Sequence, residues 1–322
     1  MTSPPLSSTS LSAGCRLTCA DLRARHLVES WLAESRLPWP GLFDLEVTVL
    51  PQLPLFTDSR EAFQQPTVSV RAGPPQGTVR IEWSIAPAMA LVHPTEPRAE
   101  ILLTPAVLDE FEAAERTFLL VTLLFVLRRL GWYHVHGAAV TDAGGLGWML
   151  IGNSGTGKST TAALLASRGW RVSTDDIGFL IDREGLVEVV GYRSPVALRE
   201  GGLDYLGREG GLDLARRRKQ GFWPEELGGE WASRVVPRYL LFSHLGDRTE
   251  GTLLAPVEAV SELVKWSMWI LFEPLHAQEH LDLLARLVAQ SRCYDVTLGP
   301  DLFRDPTLLQ AIVHDDPIPP AS

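Results

Sequence analysis

The sequence predicts an α/β fold over residues 131–312, preceded by a small α+β module over residues 21–130. Three observations carry that expectation. Leu146 to Ile151 is apolar on both faces, as a strand covered on both sides must be. A glycine-rich loop follows, and then a helix-forming run from Lys158 to about Arg168, stopped by Gly169. A short apolar strand from Trp170 to Thr174 completes a βαβ pattern.

The elements follow in chain order. Residues 1–20 are rich in Ser, Thr and Pro and read as a flexible tail. Asp21 to Leu37 spaces Leu22, His26, Leu27, Trp31 and Leu32 as a helix does. Phe43 to Val49 alternates as a strand. Thr67–Arg71 and Thr78–Trp83 form a hairpin across Gly73-Pro74-Pro75-Gln76-Gly77, so the module reads as largely antiparallel. A long helix is expected from Asp109 through Leu127, ending at Gly131. Trp132–Thr141 is a strand, joined to the next by Asp142-Ala143-Gly144-Gly145. The last third alternates strands (239–242, 252–254, 293–298) with helices (Pro256–Leu271, Glu273–Gln290) and a closing helix. Residues 313–322 read as a C-terminal tail.

Composition limits what such a protein can do. The 322 residues carry 29 Lys and Arg against 39 Asp and Glu, a formal charge of -10, and 45% are hydrophobic. A chain this acidic offers no general field to a nucleic acid, so no nucleic-acid partner is expected and phosphate chemistry must be local. The longest apolar run, Phe118–Leu127, is too short to span a bilayer, and no membrane partner is expected. Cys15, Cys19 and Cys293 build neither a disulfide framework nor a zinc-ligand spacing, which places the chain in a reducing cytoplasm. Lysine occurs only at 158, 219 and 265, and asparagine only at 153.

Asn153 and Lys158 fall in one loop. Gly152-Asn153-Ser154-Gly155-Thr156-Gly157-Lys158-Ser159 fits G-x-x-x-x-G-K-[ST], with Thr160 next. Glycines let successive N–H groups point inward at phosphate oxygens, and the helix that starts at Lys158 adds its partial positive charge. Lys158 would reach the β- and γ-phosphates, and the Ser159 hydroxyl would ligate Mg²⁺. Asp175-Asp176 close the strand after that helix, at the crevice where α/β sheets take ligands. Of two such carboxylates, one can hold Mg²⁺ and the other can accept a proton from an attacking hydroxyl. A guanine-reading Asn-Lys-x-Asp is excluded, because the sole asparagine is Asn153. No Leu-Ser-Gly-Gly-Gln stretch marks a transport ATPase.

The order of His136-Gly137-Ala138-Ala139-Val140, glycine hairpin, P-loop and Arg168-Gly169-Trp170-Arg171-Val172-Ser173-Thr174-Asp175-Asp176 resembles the catalytic domain of HPr kinase/phosphorylase. It is more similar still to the HPr-kinase-related group of bacterial peptide-modification clusters. The resemblance covers residues 130–200 and extends loosely to about 300. It implies a P-loop kinase domain of the HPr kinase/phosphoenolpyruvate carboxykinase-like type, using ATP and Mg²⁺ to phosphorylate a serine hydroxyl. The acceptor would be a protein or peptide encoded nearby, or a small molecule, and the family tends to form homo-oligomers. By motif position Asp175 would be the base, Asp176 would support the metal, and His136 would lie near the phosphates.

Departures are visible. Thr160 stands where the HPr kinases have Glu, and Val190 stands where their downstream signature has Arg, which points away from HPr itself and from the reverse reaction. Glu188 holds the position of a further Mg²⁺ ligand. Arg193 and Arg199 are candidate phosphate contacts, and Gly207–Trp223, with Arg216-Arg217-Arg218-Lys219, lies where the family has a mobile loop over acceptor and phosphate. Two other functions share this site: a nucleotide-binding regulator without transfer, and a phosphorylase or phosphatase running the reaction backwards.

Overall fold

The computed structural model describes residues 8–12, 14–39, 41–55, 60–64, 67–73, 77–214 and 219–313. The chain forms two compact units with a mixed α/β architecture, residues 1–133 with 269–278, and residues 134–268 with 279–322.

The first unit is built on one sheet. Its strands are β1 (Ser8–Ser12), β2 (Cys15–Cys19), β3 (Phe43–Val49), β4 (Arg60–Gln64), β5 (Val68–Gly73), β6 (Thr78–Trp83), β7 (Ala88–Val92) and β8 (Arg98–Leu103), in the order β1-β2-β3-β8-β7-β6-β5-β4. Helix α1 (Leu22–Glu34) buries Ala24, Val28, Trp31 and Leu32, a stripe at helical spacing. Asp21 caps it by accepting from the Ala24 N–H at 2.8 Å.

One expectation needs correction here. Residues 8–19 are not a tail: β1 pairs with β2, and β2 runs parallel to β3. Cys15, Leu17 and Cys19 are buried while Arg16 faces out, the alternation of a half-buried strand. The sheet is largely antiparallel, as expected, with β2, β3 and β8 as a mutually parallel group within it. Helix α1 supplies the crossover from β2 to β3 that parallel pairing requires. Residues 1–7 of the expected tail, and 314–322 of the C-terminal one, lie outside the described residues.

The expected helix from Asp109 to Gly131 is segmented. It comprises α2 (Pro105–Asp109), α3 (Phe111–Ala114), a π-helical turn at Glu115–Leu119, and α4 (Leu120–Arg128). Arg128 and Arg129 both pair with Glu273, Arg128 at 2.7 Å, with all three side chains buried. This pairing ties Trp269–Gln278, which the sequence placed in the second domain, into the first unit. A buried carboxylate needs such partners, and it finds them on α4.

The second unit begins with β9 (Tyr133–His136), β10 (Ala138–Thr141) and β11 (Gly147–Ile151). Helix α5 (Lys158–Ala166) leads to β12 (Arg171–Thr174), β13 (Ile177–Arg183) and β14 (Leu186–Gly191). A small subdomain follows: β15 (Val196–Leu198), α6 (Glu200–Leu206), β16 (Leu212–Leu214), β17 (Lys219–Phe222) and α7 (Pro224–Leu227). Then come β18 (Glu230–Trp231), β19 (Arg234–Val235), β20 (Pro237–Leu245), β21 (Glu250–Leu253), α8 (Pro256–Lys265), α9 (Ala277–Ala289), β22 (Arg292–Leu298) and α10 (Leu308–Val313). The expected helices 256–271 and 273–290 are shorter, with 3₁₀ turns at Met268–Leu271 and Pro274–His276 between α8 and α9. No described helix is long and apolar enough to cross a membrane.

The main sheet has the order β18-β12-β10-β11-β20-β22-β21. Strand β10 is antiparallel to both β11 and β12, so those two run parallel with β10 between them. The predicted βαβ unit is therefore split by the strand that precedes it. Strands β11, β20 and β22 are mutually parallel. Their ends, the end of β12 and the start of β10 all meet at one edge of the sheet. The core beneath it packs Ala162, Leu165, Trp148, Leu241 and Val296 from α5 and the sheet.

Candidate phosphate-binding site

At that edge the chain leaves β11 through Gly152. Its φ of +151° and the absence of a side chain are both needed, since a Cβ there would lie 2.7 Å from the Ser243 carbonyl oxygen. The Ser243 hydroxyl donates to the Ile151 carbonyl at 3.1 Å and sits 3.2 Å from the Thr156 hydroxyl, which holds the loop against β20. Thr156 also donates to the Asn153 carbonyl at 3.0 Å. Gly157 caps α5 in the left-handed conformation. The loop thus ends with the first N–H groups of α5 free of helical partners, a site suited to an anion.

Lys158 is buried and turns back over the loop. Its ammonium donates to the Gly152 carbonyl at 2.7 Å and the Asn153 carbonyl at 2.8 Å. Burial lowers its pKa, and the charge of Asp176 opposes that shift.

The two aspartates have different neighbours from those the family resemblance implied. Asp175, expected to face the acceptor, is 4% exposed. It accepts from the Ala197 N–H at 3.0 Å and from the Ser159 hydroxyl. Burial raises its pKa, with Asp176 adding to the rise. Asp176, expected on the metal, pairs instead with His136 (Oδ1 to Nδ1, 2.9 Å), and both side chains are about one-third exposed. The physical reason is the sheet. Asp175, the first residue after β12, turns inward to Ser159 at the start of α5, and Asp176 turns outward to His136 at the end of β9.

These groups line one cleft of about 650 Å³. Ser154, Gly155, Gly157, Thr160 and Arg199 also face it. Thr160 packs on α6, where a Cβ on Gly202 would come within 2.9 Å of its hydroxyl. Asn153 stays at the loop's exposed turn.

Two predicted site residues are not brought in. Glu188 pairs with Arg234 at 3.2 Å and Arg183 at 3.9 Å and does not line the cleft. The Arg193 guanidinium lies over Trp223 at 4.4 Å and Trp231 at 5.8 Å, with Glu225 3.6 Å away, so it too is engaged elsewhere. Arg216, Arg217 and Arg218 of the expected loop lie outside the described residues. Tyr205, Leu245 and Phe303, which also line the cleft, belong to no sequence motif, and Lys219 stands out in the sequence only as part of a basic run. The scarcity of lysine was the available signal, because two of the chain's three lysines face this cleft.

Among the described residues, no group of three or more His, Cys, Asp or Glu side chains could hold a metal alone. The hydroxyl of Ser159 and the carboxylate of Asp175 are hard oxygen donors in contact, and they fit Mg²⁺, which takes few protein ligands and completes its shell with phosphates and water.

No family model matches the chain, and no curated protein matches it. Among solved structures, the Hpr(Ser) kinase/phosphatase from Coxiella burnetii matches at 11% identity and a TM-score of 0.29, over 56% of this chain and 94% of that one. At that similarity, function is read from the site itself.

Proposed function

We propose that the protein is a Mg²⁺-dependent kinase that transfers the γ-phosphoryl group of ATP to a serine hydroxyl of a protein or peptide. The observation that carries this reading is the meeting of a phosphate loop, its lysine and two differently placed carboxylates at one sheet edge. The N–H groups of the loop and of the first turn of α5 bind the phosphate oxygens. Lys158, released from its own loop's carbonyls, neutralises charge that develops on the transferred group. Ser159 and Asp175 would hold Mg²⁺, which when bound supplies further charge neutralisation. Asp176 is the more accessible carboxylate and is oriented by His136, so it takes the proton of the incoming hydroxyl. The serine oxygen bonds to the γ-phosphorus, the bond to the β–γ bridging oxygen breaks, and ADP leaves.

The test uses γ-labelled ATP, the full chain and proteins or peptides encoded by neighbouring genes, with phosphoserine located by mass spectrometry. Lys158→Ala should abolish nucleotide binding or turnover. Asp176→Asn should bind ATP as before and lose transfer by roughly 100-fold or more, the usual range for a general base. A fully active Asp176→Asn would remove it from the base role. Tight ATP binding with no acceptor-dependent ADP would instead mark a nucleotide-binding regulator.

A further inference from the structure

The cleft is lined by two kinds of side chain. Polar groups (Lys158, Asp175, Asp176, His136 and Lys219) and three large apolar side chains (Tyr205, Phe303 and Leu245) line it together. The apolar three come from separate parts of the second unit: Tyr205 from the last turn of α6, Leu245 from the end of β20, and Phe303 from the 3₁₀ turn after β22. Tyr205 and Phe303 stack with ring centroids 4.3 Å apart and planes 5° from parallel. Phe303 packs in turn against the core of the unit, so it fixes Tyr205 from behind. Tyr205 nevertheless remains 57% exposed, and Leu245 65%. Leu245 reaches within 3.3 Å of where a Cβ on Gly157 would sit, so this apolar side chain adjoins the phosphate loop.

We infer that Tyr205, backed by Phe303, is the platform on which the base of a bound nucleoside triphosphate stacks. This inference rests on the nucleotide site proposed above. A triphosphate on the loop must place its base beyond the loop's rim, where the same cleft is lined by a ring already held flat. Preorganisation of that kind reduces the ordering cost of binding. The platform grips by area and not by hydrogen bonds, so purines are held better than pyrimidines and discrimination between purines is weak.

Calorimetric titration of the full chain with MgATP, MgCTP and inorganic tripolyphosphate tests the platform. Tyr205→Ala should weaken MgATP by about 5- to 150-fold, the range of one base–aromatic stack, and leave tripolyphosphate unchanged. Tyr205→Trp should restore MgATP affinity. Equal losses for MgATP and tripolyphosphate would overturn the platform in favour of general damage to the cleft. Unchanged MgATP affinity in Tyr205→Ala would overturn it as well. Unchanged nucleotide affinity with a raised KM for a peptide acceptor would assign the ring to the acceptor and sink the proposal. A wild-type chain that binds neither MgATP nor tripolyphosphate would overturn the phosphate site itself, and this platform with it.

Discussion

Asp175 is held in a place where its charge is disfavoured. Burial raises its pKa, and the adjacent Asp176 raises it further. A carboxyl whose pKa is higher in the folded state favours folding only while it is protonated. That contribution is complete below the ordinary carboxylate range and is lost as pH rises through the folded-state value. At neutral pH the residue therefore weakens the fold, and Asp175→Asn should stabilise it by about 1 kcal/mol, as relief of a functional site commonly does. Thermal melts should show the gain at pH 8 and its decline toward pH 4, while the proposed Mg²⁺-dependent turnover is lost. A variant less stable than wild type at pH 8 would contradict the account. That Lys158 and Ser159 meet Asp175 and Asp176 was legible, because the loop and the aspartate pair each follow a strand of one sheet. The partners of Glu188 and Arg193 were not. Glu188 is claimed by Arg234, and Arg193 by Trp223 and Trp231, residues that sequence spacing does not connect.

Elements show where local pattern stops deciding structure. The apolar spacing between Asp109 and Gly131 reads as one helix, yet the segment widens into a π turn at Glu115–Leu119, a feature that lets a helix change the face it buries. Glu115 is partly buried there, and its pKa is pushed up to about 7, first by burial, with Glu34 and Glu112 adding repulsion against the pull of Arg116. The direction matches that of Asp175, so stability is highest below pH 4.5 and falls as pH climbs toward about 7. Glu115→Gln should remove this slope. It should gain up to about 3 kcal/mol over wild type at pH 8, at roughly 1.4 kcal/mol per pKa unit, and almost nothing at pH 4. Urea denaturation at the two pH values measures it, and an equal effect at both would exclude ionisation as the cause. Sheet elements show the same limit. The hairpin of β10 and β11 was legible from its turn residues, but not the insertion of β10 between β11 and β12. That insertion is what sets His136 beside Asp176.

For the molecule as a whole, a chain of net charge -10 still turns Lys158, Lys219 and Arg199 to one cleft, and two of these are among its three lysines. The fold around that cleft follows from strand ends at one sheet edge. The first unit has a separate dependence on its earliest residues. Ser and Thr in the first twenty residues suggest a dispensable segment, but Cys15-Arg16-Leu17-Thr18-Cys19 alternates apolar and polar side chains, and the structure uses that alternation. Cys15 is so thoroughly enclosed that its thiol pKa is pushed up to about 12, which leaves it a neutral apolar group. Leu17 is wholly buried beside it, and β2 covers the edge of β3 through a parallel ladder. Leu17→Ala should therefore cost about 2–5 kcal/mol, the range for a buried leucine. Arg16→Ala, which breaks only a half-exposed pair with Asp44, should cost less than about 0.5 kcal/mol. Deletion of residues 1–20 should expose the edge of β3 and give an aggregating chain, because an uncovered strand edge with a buried apolar face pairs with other chains. Chemical denaturation of the two point variants and light scattering of the deletion provide the measurements. A soluble deletion variant with the wild-type melting temperature would show that β1 and β2 add nothing to the sheet.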